Sequence, residues 1–436
     1  MGIKIAKFGG SSLADAGQFK KVKDILLSDP NRRYVVPSAP GKRFKDDVKI
    51  TDMLYKCYRL VEKGDDIQSA FAAIEQRYRS IVKDLDLNVD IDALLDQTCM
   101  DIRRIATPDF AASRGEYLNG ILLAAYLGWD FIDAKDFIKF DRQGIFAEEW
   151  TNELLGAELK KHEYAVIPGF YGSVPNGEIH TFSRGGSDIT GAVVARAAEA
   201  ELYENWTDVS GFLMADPRIV DNPKEIRELT YKELRELSYM GATVLHEDSI
   251  FPVHRAGIPT NIRNTNNPQH PGTLIISEPS VDKNGVITGI AGHKNFDIIS
   301  IEKAMMNNEP GFCRKVLSII EDFNISIEHM PTGIDTMSVV ISASELSSCR
   351  GEVLRRIKEA FHPDNLEITE NVALIATVGH GMVRNPGTAA KLFAGLQKAN
   401  VNVKMIDQGS SELNIIVGVD NDDFEKAVKA IYEAFV

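Results

Sequence analysis

A repeat in the last third of the chain restricts the fold more than any other feature. Pro310-Gly311, a helical stretch through Val316, Ile319 and Ile320, and then Asn324-Ile325-Ser326-Ile327 recur as Pro386-Gly387, a stretch through Leu392, Gly395 and Leu396, and then Asn400-Val401-Asn402-Val403. The offset is constant, 386 − 310 = 400 − 324 = 76, and it continues without a gap to Met337-Ser338-Val339-Val340-Ile341 against Leu413-Asn414-Ile415-Ile416-Val417. Such self-similarity marks two copies of one supersecondary unit. Each copy reads strand, helix, strand, turn, strand, so a pair of small α+β modules is expected. A doubled module serves either as an assembly surface or as a sensor that biases a site elsewhere, and we prefer the sensor.

The first two-thirds alternate between strand-like and helix-like segments, the pattern of a mostly parallel sheet sandwiched by helices. Strands are expected at Ile3–Phe8, Tyr34–Ser38, Trp129–Ile132, Tyr164–Phe170, Glu201–Thr207 and Pro259–Arg263, and helices at Gly17–Leu27, Ile50–Glu62, Ala111–Ala125, Ile189–Ala200 and Tyr231–Met240. The loops Asn266–Gly272 and Asp282-Lys283-Asn284-Gly285 place a boundary near residue 280. The expected domains are 1–280, 286–368 and 369–436, with the strand near 286–300 assignable to either module.

Forty-nine Lys and Arg against 63 Asp and Glu give a formal charge of −14. That argues against a broad nucleic-acid or anionic-membrane surface, so any phosphate site is local. Cys57, Cys99, Cys313 and Cys349 are too few for a disulfide framework and too scattered for a zinc pair, and read as reduced thiols. No apolar run approaches the roughly 18–20 residues that span a bilayer, and the first residues enter a strand without a cleavable leader. The expected location is the cytoplasm.

Polar clusters follow the strands, where open α/β sheets bind ligands. Lys7-Phe8-Gly9-Gly10-Ser11-Ser12 offers a cation, converging backbone N–H groups and hydroxyls, a composition suited to phosphate; an ordinary strand-to-helix turn has the same letters. Ser183-Arg184-Gly185-Gly186-Ser187-Asp188 precedes a helix that Ser187 or Asp188 can cap, and Arg184 supplies a fork for a carboxylate or phosphate. Asp208, Asp216 and Arg218 suit a ribose, a magnesium ion and a phosphate, or equally an Asx-turn and a surface charge. Glu116 falls at the start of a helix, and Ser38 and Thr51 bracket a loop with Pro40, Gly41, Lys42 and Lys45. Neither a Walker A motif nor GxGxxG is present, which argues against P-loop and Rossmann enzymes.

Taken in order, Lys-Phe-Gly-Gly-Ser-Ser, Pro-Ser-Ala-Pro-Gly-Lys, Arg-Gly-Glu, Arg-Gly-Gly-Ser-Asp, Trp-Thr-Asp-Val, Asp-Pro-Arg and Gly-Ala-x-Val-Leu-His resemble the aspartate kinase branch of the amino acid kinase family, over essentially the whole chain. The repeat resembles that branch's tandem, ferredoxin-like ACT modules. The resemblance implies a catalytic domain over 1–280 that moves the γ-phosphoryl group of ATP, with Mg2+, to the β-carboxylate of L-aspartate, the first step toward lysine, threonine and methionine.

It also implies roles. Lys7 stabilises the transferring group with Gly9, Gly10 and Ser11 nearby, and Asp188 positions Lys7 or the substrate. Glu116 takes the substrate amino group and Arg184 a carboxylate, while Ser38, Thr51 and Ser187 hold aspartate further. Thr207, Asp208, Asp216 and Arg218 line the nucleotide site. Met306, Asn308, Gly311, Phe312 and Glu328 bind an effector amino acid, lysine or threonine, in a homodimer or homotetramer. No metal-ligand set of the chain's own is implied. Two segments depart from the family pattern: Thr243 and Glu247 stand where many relatives have lysine and proline, and Leu213 where they have tyrosine.

A carboxylate acceptor with a pKa near 4 is already ionised at neutral pH, so the reaction needs no general base. His180 and His246, with no evident carboxylate partner, are therefore expected to be structural. The alternatives are another kinase of this fold, such as a glutamate kinase, or a catalytically impaired amino-acid-binding regulator.

Overall fold

The computed structural model describes residues 2–183, 185–242, 245, 247–279 and 285–436. Arg184, Thr243, His246 and Asp282-Lys283-Asn284 lie outside them. The chain divides into two compact units: Met1–Phe212, Arg227–Tyr231 and Val244–Pro279 form one, and Leu213–Ile226, Lys232–Thr243 and Ser280–Val436 the other.

The first unit is built on eight strands: β1 (Lys4–Phe8), β2 (Arg32–Pro37), β3 (Asp130–Phe131), β4 (Ala165–Val166), β5 (Leu202–Thr207), β6 (Glu228–Thr230), β7 (Thr260–Asn264) and β8 (Thr273–Ile276). Their order is β6-β8-β7-β5-β1-β2-β4-β3. Every pairing is parallel except β7 with β8. Helices cover the sheet, so central strands carry continuous apolar runs: Ile5, Ala6 and Phe8 of β1 and Val35 and Val36 of β2 are fully buried. One core joins Phe8, Phe19, Leu54, Phe71, Leu118 and Trp206.

Helix Ile50–Glu62 runs where its periodicity predicts. Two expectations about helix starts are corrected. The helix expected at Ala111 spans Pro108–Leu127, opened by the Thr107 hydroxyl accepting from the Phe110 N–H and closed by left-handed Gly128. Glu116 is therefore in mid-helix, and the start was hidden because this helix is buried on nearly all sides and shows no single apolar stripe. The helix expected at Ile189 begins at Gly186 with Gly185, φ 59°, as its cap residue, so Ser187 and Asp188 lie in the first turn and neither caps it.

In the second unit β9 (Gly289–Glu302), β10 (Thr336–Ser342), β11 (Asn365–Val378), β12 (Met405–Asp407) and β13 (Asn414–Asp420) form one antiparallel sheet in the order β10-β9-β11-β13-β12. The 14-residue strands β9 and β11 pair along their whole length, from Gly289 opposite Val378 to Glu302 opposite Asn365. Two apolar cores lie along this sheet. Val316, Ile320, Ile325, Val339 and Ile341 belong to one, and Leu392, Leu396, Val401, Ile415 and Val417, each 76 positions on, to the other. Strand β9 serves both, giving Ile299 and Ile301 to the first core and Ile290 to the second. Ala215 and Val220, far upstream in sequence, also join the second core.

Candidate active site

A cleft of about 560 Å3 opens at the C-terminal ends of β1, β2 and β5. Its wall combines Gly9, Gly10 and Ser11 after β1, Ser38 after β2, Thr51 and Glu116 from the two helices behind, Thr207 at the end of β5 and Asp208 just after it. Lys42, Arg43, Lys45 and Lys49 come from the loop between β2 and helix Ile50–Glu62. Two glycines set how closely the first two loops approach. The Gly41 N–H donates to the Gly10 carbonyl at 2.8 Å, and a Cβ on Gly41 would sit 2.5 Å from the Gly10 carbonyl carbon. Buried Arg77 holds the lysine-bearing loop, donating to the Gly41 carbonyl at 3.0 Å and to Asp47 at 2.7 Å.

Lys7, the residue before Phe8 and Gly9, is buried. Its Nζ lies 2.5 Å from Asp188 Oδ1 and would be 3.7 Å from a Cβ on Gly9. Asn205, on the neighbouring strand β5, ties the pair together: its Nδ2 donates to Asp188 Oδ1 at 2.8 Å and its Oδ1 accepts from Lys7 Nζ at 3.4 Å. Sequence reasoning missed Asn205. The signal was there, since Glu204-Asn205 interrupts a strand buried on both faces. Glu204 has a structural use, accepting from Arg32 at 2.6 Å and from Trp206 Nε1 at 3.1 Å.

Glu116 is buried at the cleft wall, and that burial pushes its pKa up to about 8, against the opposing pull of the Ala39 N–H. Its Oε2 has no hydrogen-bond partner. A buried carboxyl with an unused oxygen beside a cleft suits an incoming cation such as an ammonium group.

The remaining predicted residues divide. Ser187 Oγ would be 2.8 Å from a Cβ on Gly169, packed against the strand-end loop after β4. Asp216 and Arg218 fall in the second unit, where Asp216 Oδ1 accepts from the Arg218 N–H at 2.8 Å and pairs with its guanidinium, leaving the Arg218 side chain 88% exposed. Arg184 is outside the described residues. His180 does have a carboxylate partner, contrary to expectation: its Nδ1 is 3.0 Å from Asp109. In the second unit Met306 is buried, Asn308 exposed, and Gly311, φ 79°, precedes a helix whose first residue, Phe312, packs on Phe361 at 4.8 Å. Glu328 accepts from the Tyr239 hydroxyl at 2.5 Å.

An open, mostly parallel sheet with glycine loops, an amine and a buried carboxyl gathered at its strand ends defines a phosphate-handling α/β enzyme. Residues 2–264 match the amino acid kinase family and residues 375–435 the ACT domain. Aspartokinase 3 of Bacillus subtilis is 38% identical, covering 99% of this chain and 98% of its own. The crystal structure of Clostridium acetobutylicum aspartate kinase is 55% identical, with TM-score 0.93 and full coverage of both chains. E. coli aspartokinase III, solved with aspartate and ADP and again with lysine and aspartate, is 25% and 26% identical, each with TM-score 0.76 and 99% coverage of both chains. This chain belongs to the amino acid kinase family, among the aspartate kinases that carry C-terminal ACT modules.

Proposed function

We propose that this enzyme transfers the γ-phosphoryl group of ATP to the β-carboxylate of L-aspartate, giving ADP and 4-phospho-L-aspartate, and that the cleft beside Lys7 is where it does so. The observation that carries this is the assembly of the opening glycine loop, the loop lysines and the orphaned Glu116 oxygen around the Lys7–Asp188 pair. A carboxylate oxygen attacks the γ-phosphorus, the bond from that phosphorus to the bridging oxygen breaks, and its electron pair leaves with ADP. No proton moves. Catalysis then reduces to holding two anions in line and balancing charge on the phosphoryl oxygens.

In this reading Lys7 and the amides of Gly9, Gly10 and Ser11 face the transferring group, and Asp188 and Asn205 hold Lys7. Glu116 takes the aspartate ammonium, and Ser38, Thr51, Ser187 and Arg184 the rest of that substrate. Thr207 and Asp208 face the nucleotide; Asp216 and Arg218 are further proposed nucleotide contacts. Magnesium is carried mainly by substrate phosphates with one or two carboxylates, a role that Asp208 on the cleft wall would fit. Bound there, the ion would neutralise charge between the phosphates.

The catalytic part is assigned to 1–280 and the ACT modules to 286–368 and 369–436. Lysine or threonine at Met306, Asn308, Gly311, Phe312 and Glu328 is proposed to inhibit, in a cytoplasmic homodimer or homotetramer. Among the described residues no helix is long and apolar enough to cross a membrane. A panel of amino acids assayed for ADP release with ATP and Mg2+ tests the substrate: aspartate is expected to exceed glutamate by orders of magnitude, and comparable rates would reject the assignment.

A further inference from the structure

Helix Pro108–Leu127 has Glu116 on the cleft and Arg114 on a different cavity of about 1370 Å3. Residues two apart point about 200° away from each other around a helix, so the two cavities flank it. Among the described residues four cationic side chains are buried: Lys7, Arg32, Arg77 and Arg114. Lys7 pairs with Asp188, Arg32 with Glu204 and Arg77 with Asp47. Among the described residues Arg114 has no carboxylate within ion-pair distance. Its Nε and Nη2 share the Ser113 hydroxyl at 3.1 and 3.0 Å, and the rings of Phe110 and Tyr117 lie 4.5 and 4.4 Å from the guanidinium carbon. Among the described residues Nη1 has no acceptor.

A buried guanidinium that no carboxylate bonds directly is costly, and aromatic faces offset only part of that cost. With its flat faces and one edge occupied, what remains is an edge with the geometry of a carboxylate or phosphate. Arg142, exposed and without an acidic partner, and Lys135 line the same cavity. Of the wall's three acids, Asp101 bonds to Arg104 while also feeling the Arg114 charge, Asp109 bonds to His180 and the Thr181 hydroxyl, and Glu178 is exposed. We propose that this cavity binds a small organic anion, a carboxylate or a phosphate ester, whose oxygens take the free edge of Arg114 while Arg142 meets it from the wall. The site is separate from the phosphoryl-transfer cleft and stands or falls independently of the reaction assigned there.

The test uses the full chain with ADP and Mg2+ saturating the cleft. Calorimetric titration with inorganic phosphate and, separately, with succinate distinguishes the two ligand chemistries, and a selenate-soaked crystal locates the site by anomalous scattering. The expected result is a selenium peak within hydrogen-bond reach of Arg114 Nη1, with binding that persists in Lys7→Ala and weakens by about tenfold in Arg142→Ala. Arg114→Lys should weaken it further; since that change disturbs a buried cage, exposed Arg142 keeps the test decisive if the variant fails to fold. Failure of both anions to bind at millimolar concentration, or binding that Arg142→Ala leaves unchanged, would overturn the proposal.

Discussion

Lys7 sits on a flexible four-carbon stem, and what makes it useful is that Asp188 and Asn205 leave it little choice of position. Lys7→Ala should lower kcat by about 10²–10³ while circular dichroism stays native, in line with the loss of one preorganised charge. Asn205→Leu keeps the volume but removes both hydrogen bonds; kcat is expected to fall about tenfold with KM for aspartate little changed. A matched rise in KM would instead place Asn205 in ground-state binding. Glu116 makes a prediction about pH. Its folded pKa of about 8 lies above the ordinary 4.5, so the native protein holds a proton that the unfolded chain has released. Its contribution to stability is thus complete below about pH 4.5 and declines as pH rises toward 8. For the free enzyme, kcat/KM for aspartate should climb over the same interval and level off above pH 8, as the carboxylate that holds the ammonium forms. Glu116→Gln should abolish that limb in a pH–rate profile and raise KM.

At the scale of elements, the cleft depends on two loops touching through glycine. Gly41→Ala drives a Cβ to within 2.5 Å of the Gly10 carbonyl carbon, so backbone has to move. A thermal melt should fall by several degrees and KM for both substrates should rise, since over-packing of this kind costs about 1–3 kcal/mol. This is also the scale at which the sequence was most and least legible. Local periodicity located β1, β2, β5 and helix Ile50–Glu62 because each is a single run of one pattern. It hid the start of Pro108–Leu127, which is apolar on nearly all sides, and it passed over helix Gln68–Asp84, whose buried face includes Glu75 and Arg77. Ordered motifs brought eight of the predicted residues to one wall: Gly9, Gly10, Ser11, Ser38, Thr51, Glu116, Thr207 and Asp208. The grouping of Asp216 and Arg218 with the second unit was invisible, because it follows from long-range packing of Ala215 and Val220 rather than from any local pattern.

Over the whole molecule, the repeat is what survives translation from letters to packing. Val316 and Leu392, and Ile320 and Leu396, occupy matching places in the two ACT cores. Leu392→Ala should therefore cost about 2–5 kcal/mol in the second core, read as an earlier transition in denaturant. The proposed effector control belongs to this scale as well. At the proposed effector site, Glu328→Gln is expected to raise the lysine concentration for half-inhibition by about tenfold or more and to leave uninhibited kcat unchanged, since one proposed charge-assisted contact is lost. Phosphoryl transfer from ATP to a side-chain carboxylate at the Lys7 cleft is tested most directly by trapping the product with hydroxylamine. With L-aspartate, ATP and Mg2+ the protein should form aspartyl hydroxamate in step with ADP, and Lys7→Ala should nearly abolish it. ADP release without hydroxamate, or full hydroxamate formation by Lys7→Ala, would contradict it.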